Sequence, residues 1–146
     1  MYYNYFNYFP TRTFQIYQIF SSNTNLGKTI FSAGLLRASI LKSQTNSNYY
    51  LKVIQTGYPK DDDLRFVKTF LPENFRNSIK FKTLYKYEKA VSPHLAVNKP
   101  IPNDEDVLNQ IKEFISECYN ESLKGEGRLF LETAGGINSP IMSGKK

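Results

Sequence analysis

Apolar and polar positions fall along this chain in blocks, and the spacing within each block separates strands from helices. Thr13-Phe14-Gln15-Ile16-Tyr17-Gln18-Ile19-Phe20 is rich in β-branched and aromatic residues and reads as a strand, closed by the polar stretch Ser21 to Asn25. From Gly27, the apolar residues Ile30, Phe31, Leu35, Leu36, Ile40 and Leu41 recur at helical spacing, which predicts a helix over residues 28–42. A polar break from Ser43 to Asn48 precedes a second buried-type strand, Tyr50-Leu51-Lys52-Val53-Ile54, which stops at Gly57 and Pro59. The acidic loop Asp61-Asp62-Asp63 follows, then a short helix over 64–70 and a segment from Ile79 to Tyr87 that reads as strand or irregular. Asn103-Asp104-Glu105-Asp106 has the acids of a helix start, and Val107, Ile111, Phe114, Ile115 and Cys118 form its apolar stripe, with an end expected near Gly125. Leu129-Phe130-Leu131 is a short buried strand that runs into Glu132 and the pair Gly135-Gly136. Strands alternating with helices indicate an α/β fold, a parallel sheet covered on both faces.

Composition narrows this to one domain. The chain has 146 residues, 19 Lys and Arg against 13 Asp and Glu, a net charge of +6, one cysteine, one histidine and no tryptophan. No acid precedes Asp61, so the whole cation excess lies in the first sixty residues, on Arg12, Lys28, Arg37, Lys42, Lys52 and Lys60. Basic charge with abundant Tyr and Phe is compatible with nucleic-acid binding, but the aromatics sit at strand positions where core packing explains them, so no nucleic-acid partner is expected. No apolar run approaches the ~18 residues of a spanning helix, so no membrane partner is expected. Cys118 cannot form an internal disulfide, and a single His94 leaves no Cys/His metal cluster, so a reducing compartment follows and any bound ion is expected to be oxygen-liganded. The aromatic opening is a poor secretory signal and fits a mitochondrial transit segment only on its lack of acids; the expected location is mitochondrial or cytoplasmic.

The strongest chemical signal is Ser21-Ser22-Asn23-Thr24-Asn25-Leu26-Gly27-Lys28-Thr29, between the first strand and the first helix. Such a loop suits phosphate: Gly27 lets the backbone approach, successive N–H groups from Asn25 onward and the helix N-terminus face the anion, Lys28 adds a point charge, and Thr29 can ligate Mg²⁺. The standard motif has an earlier glycine where this chain has Ser22. Glu132 closes an apolar strand as a Walker-B-type acid does. In a parallel sheet the ligand crevice lies at the carboxyl ends of the strands, which would gather the loop, Lys52, Asp63 and Glu132 at one edge. Thr29, Asp63 and Glu132 then form an oxygen set of the kind Mg²⁺ takes alongside substrate phosphates. Lys52 interrupts an apolar strand; it is either an edge-strand lysine reaching solvent or a fixed cation facing phosphate or carboxylate.

In order and spacing, SSNTNLGKTIFSAGLL, YLKVIQTGYPKDDDLRFV, AVSPHLAV and LFLETAGGINSPIMSG resemble dethiobiotin synthetase, especially the synthetase part of bifunctional enzymes fused to diaminopelargonate aminotransferase. The resemblance implies a P-loop NTPase-like domain over residues 14–146, preceded by an extension over 1–13. It also implies conversion of 7,8-diaminopelargonate and CO₂ to dethiobiotin with ATP and Mg²⁺. The reaction forms a carbamate on the substrate amine, phosphorylates it to a mixed anhydride, and closes the ring with loss of phosphate. Carried over by motif, Lys28 and Lys52 are catalytic, residues 25–29 (Asn25, Leu26, Gly27, Lys28, Thr29) bind the nucleotide, Thr56 lies in the substrate loop, and Thr29, Asp63 and Glu132 hold Mg²⁺. His94 lies in the matching SPH segment and is not assigned to catalysis.

This chain departs from the family's G-T-D-T-x-x-G-K-T loop at Ser21, Ser22 and Asn23, and Val53 stands where the family has proline after the lysine. It also stops soon after the Walker-B-like strand, where the family continues through adenine-recognition and subunit-contact segments, so a C-terminally incomplete domain is expected. Homodimerisation and an aminotransferase domain or chain are the partners implied. The competing expectation is a non-catalytic nucleotide- or phosphate-binding P-loop module.

Overall fold

The computed structural model describes residues 14–42, 47–96, 102–122 and 127–136. The expectations for the extension over 1–13 and for the chain beyond Gly136 lie outside the described residues. The elements are β1 (Phe14–Ile19), α1 (Lys28–Lys42), β2 (Ser47–Thr56), α2 (Asp63–Phe70), α3 (Glu73–Arg76), β3 (Ile79–Tyr87), α4 (Pro93–Ala96), α5 (Asp104–Glu121) and β4 (Gly127–Glu132). The strands form one sheet in the order β1-β4-β2-β3, with every pairing parallel. The segment 79–87 is thus a full strand, and β2 starts at Ser47, inside what reads as a polar break.

Helices cover both faces, as the block pattern predicts. On one face Tyr49, Leu51 and Val53 of β2 and Leu129 and Leu131 of β4 pack against Val107, Phe114 and Cys118 of α5. On the other, Tyr50 and Phe130 pack against Ala33, Leu36 and Ile40 of α1 and Val67 of α2. Alternate side chains of a strand point to opposite faces, so this parity decides which face receives each polar residue. Lys52 and Glu132 share parity with Tyr50 and Phe130 and therefore point to the α1 side.

The helix α1 spans the predicted residues, but it buries only part of its apolar stripe. Lys28, Ser32, Ala33, Leu36, Ser39 and Ile40 are buried, whereas Ile30, Phe31 and Leu41 are each about 60% exposed. Apolar residues lie all round this helix, so spacing alone does not choose the buried side. Ser32 and Ser39 are accepted inside because each has a polar partner there: Glu132 for Ser32, and Asn48 and Arg128 for Ser39.

α5 begins on an Asn103 cap, whose side chain accepts from the Asp106 amide at 2.7 Å, and its first turn carries three acids at the positive end of the helix. It ends at Glu121, earlier than expected, with Ser122 as the cap residue. Lys80 of β3 reaches Glu117 and Glu121 at 2.8 and 2.7 Å, tying the outer strand to that helix.

Candidate active site

The carboxyl ends of β1, β4 and β2 open into a cavity of about 1070 Å³. Asn25, Gly27, Lys28 and Thr29 of the first loop line it, with Lys52 and Thr56 from β2, Asp63 from α2, Ser92 and Pro93, and Glu132 from β4. The sequence-predicted residues therefore converge, with two qualifications. The Leu26 side chain is 59% exposed and is not in the cavity wall. His94 is also outside the wall, with a buried Nδ1 that has no hydrogen-bond partner.

The phosphate-type loop is a short turn whose conformation depends on two left-handed positions. Asn25 has φ of 60° and Gly27 φ of 80°; asparagine tolerates this region and glycine enters it without steric cost. Lys28 is buried and folds back over the loop, donating from Nζ to Ser21 Oγ at 2.9 Å and to the Asn23 carbonyl at 3.2 Å. Ser21 Oγ itself donates to the Asn23 carbonyl. Ser21 and Asn23, two positions where the chain departs from the family loop, thus hold its lysine. Burial lowers the Lys28 pKa, and the neighbouring Lys52 lowers it further, against the opposing charges of Glu132 and Asp63.

The loop is held from the other side by the turn after β4. The Thr133 amide donates to the Ile19 carbonyl at 3.1 Å, joining the ends of β1 and β4. A Cβ on Gly136 would collide with the Ser22 carbonyl group and lie 2.9 Å from Asn23 Cα, so only glycine permits this approach. Gly136 therefore lets one loop lie against the other.

Glu132 is the hub. It is wholly buried, and each of its oxygens takes two donors: Oε1 accepts from Thr29 Oγ1 at 2.8 Å and Lys52 Nζ at 2.7 Å, and Oε2 from Ser32 Oγ at 2.7 Å and Tyr50 OH at 2.9 Å. Burial by itself would raise the carboxyl pKa. The Lys52 charge and the hydrogen bonds from Lys52, Ser32 and Thr29 outweigh it and hold the pKa below the usual carboxylate value. Tyr50 moves the other way: burial and then the charge of Glu132 push its phenol well above the ordinary range, so it stays a donor. Ser32 Oγ also lies 2.8 Å from the Lys28 carbonyl, so one hydroxyl proton faces two acceptors and the charged one forms the stronger bond.

Lys52 bridges two acids, with Nζ 2.6 Å from Asp63 Oδ2 as well as 2.7 Å from Glu132. β2 lies between β4 and β3, and Lys52 is 4% exposed, so the edge-strand reading of this lysine does not hold. Asp63 is placed by the start of α2: Gln55 Oε1 accepts from its amide at 3.0 Å, and Asp62 caps the helix by accepting from the Arg65 amide at 3.1 Å. The three consecutive acids thus differ in role, since Asp62 caps the helix and Asp63 faces Lys52. Sequence reasoning missed Ser32 and Tyr50 as supports of the site, and it placed Gln55 at this edge without the role of holding the Asp63 amide.

Among the described residues no three His, Cys, Asp or Glu side chains group as a metal site. The oxygen donors are instead two carboxylates and the Thr29 hydroxyl. That hydroxyl gives its proton to Glu132 and keeps its lone pairs for a cation, which suits Mg²⁺ bound jointly with substrate phosphates. No helix among the described residues is long and apolar enough to cross a membrane.

A parallel sheet whose first loop carries a Gly-Lys-Thr turn and whose neighbouring strand ends in an acid bonded to that threonine defines a P-loop NTPase-like domain. Residues 15–145 match the AAA domain family, and the chain belongs to it. It is similar to dethiobiotin synthetases, including bifunctional forms. Identity is 34% over 135 residues to the bifunctional dethiobiotin synthetase/adenosylmethionine-8-amino-7-oxononanoate aminotransferase of Emericella nidulans, covering 91% of this chain and 16% of that protein. The bifunctional dethiobiotin synthetase/7,8-diamino-pelargonic acid aminotransferase, mitochondrial, of Arabidopsis thaliana is 32% identical over 184 residues, covering 88% of this chain and 22% of its own length. The ATP-dependent dethiobiotin synthetase BioD of Haloferax mediterranei is 27% identical over 132 residues, 89% of this chain and 51% of that protein. The chain thus spans about half of the monofunctional relative and about a fifth or less of the bifunctional ones.

Proposed function

We propose that this chain carries the phosphate- and carbamate-handling part of a dethiobiotin synthetase, which uses ATP and Mg²⁺ to carboxylate and cyclise 7,8-diaminopelargonate in biotin biosynthesis. The observation that carries this reading is Lys52, buried on a central strand and held between Asp63 and Glu132 beside the Gly27-Lys28-Thr29 turn. A nucleotide-binding site alone needs the turn and an acid. A second buried lysine on the same cavity adds a fixed positive charge where carbamate and the transferred phosphoryl group would meet.

In this reading Lys28 and the backbone of residues 25–29 bind the ATP phosphates, and Lys28 stabilises charge spread over the transferred group. Lys52 orients the carbamate and offsets negative charge that grows during its phosphorylation. Thr56, at the cavity end of β2, contacts the diamine substrate. Thr29, Asp63 and Glu132 would hold Mg²⁺, which when bound neutralises the phosphate oxygens and favours phosphoryl transfer. A second copy of the chain and an aminotransferase part, as named for the bifunctional relatives, are the partners that go with this function. The mitochondrion is the compartment in the Arabidopsis name; the cytoplasm suits the single buried thiol equally.

The test supplies diaminopelargonate, bicarbonate and Mg-ATP to the full chain and follows dethiobiotin and phosphate. Product that disappears in Lys52→Ala supports the synthetase. ATP binding without turnover supports a non-catalytic nucleotide-binding module, and no ATP binding overturns both.

A further inference from the structure

We propose that the Lys52 ammonium and a divalent cation compete for the same two carboxylates, so that Lys52 is a resident counter-ion which the metal displaces into the cavity. The inference rests on the metal role that the proposed function gives Asp63 and Glu132. It goes beyond that role by coupling metal binding to the position of the lysine.

The geometry makes the two ions mutually exclusive. Lys52 Nζ lies 2.6 Å from Asp63 Oδ2 and 2.7 Å from Glu132 Oε1, which is the place a cation shared by these acids would take. Glu132 cannot turn another oxygen toward the cavity, because Oε2 is bound by Ser32 and Tyr50, both wholly buried. Its remaining oxygen, Oε1, is the one that also takes the Thr29 proton. A cation drawn to Thr29, Asp63 and Glu132 therefore meets an ammonium group already there, with Lys28 adding to the repulsion.

The lysine is the member that can give way. Glu132 is fixed by four donors from two elements, and the Asp63 backbone is held by Gln55. Lys52 by contrast has a four-carbon stem with rotatable bonds, so Nζ can swing while its backbone stays in the β2 ladder. Lys52 lines the cavity, so the released ammonium stays inside the site and can pair with an anionic group of the substrate.

Mn²⁺ binding read by electron paramagnetic resonance, without nucleotide, tests this on the full chain. Removing the resident charge in Lys52→Met is expected to tighten Mn²⁺ binding about tenfold or more relative to wild type, through lost repulsion between neighbouring cations. Adding Asp63→Asn to that variant is expected to abolish the gain. Equal or weaker binding by Lys52→Met overturns the competition. Should that variant not fold, Lys52→Gln, which keeps an N–H donor without charge, carries the same two outcomes. In the wild-type chain the ε-¹⁵N signal of Lys52 reports displacement directly. Faster ammonium proton exchange on adding Mg²⁺ with a non-hydrolysable ATP analogue supports the proposal, and unchanged or slower exchange overturns it. Mn²⁺ binding with the analogue but no effect of Lys52 sinks the competition and leaves the proposed function standing. No Mn²⁺ binding by any form, with or without the analogue, sinks the metal role itself. Dethiobiotin formation is read separately.

Discussion

Lys52 and Glu132 stand directly opposite each other on adjacent parallel strands, and their side chains meet at 2.7 Å with both residues buried at the cavity wall. A buried pair of this kind is costly to break from one side, because the partner is left as an uncompensated charge. Lys52→Met is expected to lower stability by about 3–5 kcal/mol. The double variant Lys52→Met/Glu132→Gln is expected to lose clearly less than the sum of the two single changes. Urea unfolding followed by circular dichroism measures all three.

Ser32 and Tyr50 hold the far oxygen of the same carboxylate. Ser32→Ala and Tyr50→Phe each remove one donor to a buried charge and are expected to cost about 1.5–3 kcal/mol. Neither change adds volume, so near-native circular dichroism with a lower urea midpoint is the expected result. An unchanged midpoint in both would show that Glu132 does not need its Oε2 donors.

Two glycines in the site respond to alanine for different reasons. Gly27→Ala meets no neighbouring atom but must hold φ of 80°, a strain of about 1–3 kcal/mol. Gly136→Ala drives a methyl group into the Ser22 carbonyl group, so the phosphate-type loop itself must shift. We expect Gly136→Ala to weaken binding of a fluorescent ATP analogue by about tenfold or more, near the lower end of what 1–3 kcal/mol of overpacking produces. Binding equal to wild type would show that the loop takes up the methyl group without moving.

The pH dependence follows from the sign of the Glu132 shift. Its folded pKa lies below its ordinary value of 4.5, so its contribution to stability is complete above that value and is lost as pH falls through the lower folded pKa. The urea midpoint of the wild-type chain should therefore drop on acidification below about 4.5, and Glu132→Gln should flatten that drop. An equally steep acid limb in the variant would assign the loss to other carboxylates.

The strand, loop and helix at residues 14–42 and the acid closing β4 are legible in the sequence, because each rests on a local pattern with one structural meaning. Lys52 is legible as an anomaly, a charge in an apolar run, but its reading depends on whether β2 is central or at an edge, and that is set by pairing with distant residues. Ser32 and Tyr50 are not legible. A serine within a helix and a tyrosine within a strand both have ordinary packing roles, and only their convergence on Glu132, 100 and 82 positions away, gives them another. The exposed side of α1 fails for a related reason: Ile30 and Phe31 are as apolar as Leu36, while the buried side is chosen by the polar partners of Ser32 and Ser39.

The sheet order gives the site a history as well as a shape. β4 lies between β1 and β2, so the first two described strands never pair with each other and are joined in one sheet only through the last described strand. During synthesis the loop, the two lysines and Asp63 all emerge well before Glu132, and until then the ammonium of Lys52 has only one of its two acids. The hydrogen bond from Thr29 and the second ion pair of Lys52 therefore have to wait for residue 132. A stop or frameshift between Asp63 and that point would release a product with every residue of the loop at 21–29 but without the acid that receives the Thr29 hydroxyl and the second charge on Lys52.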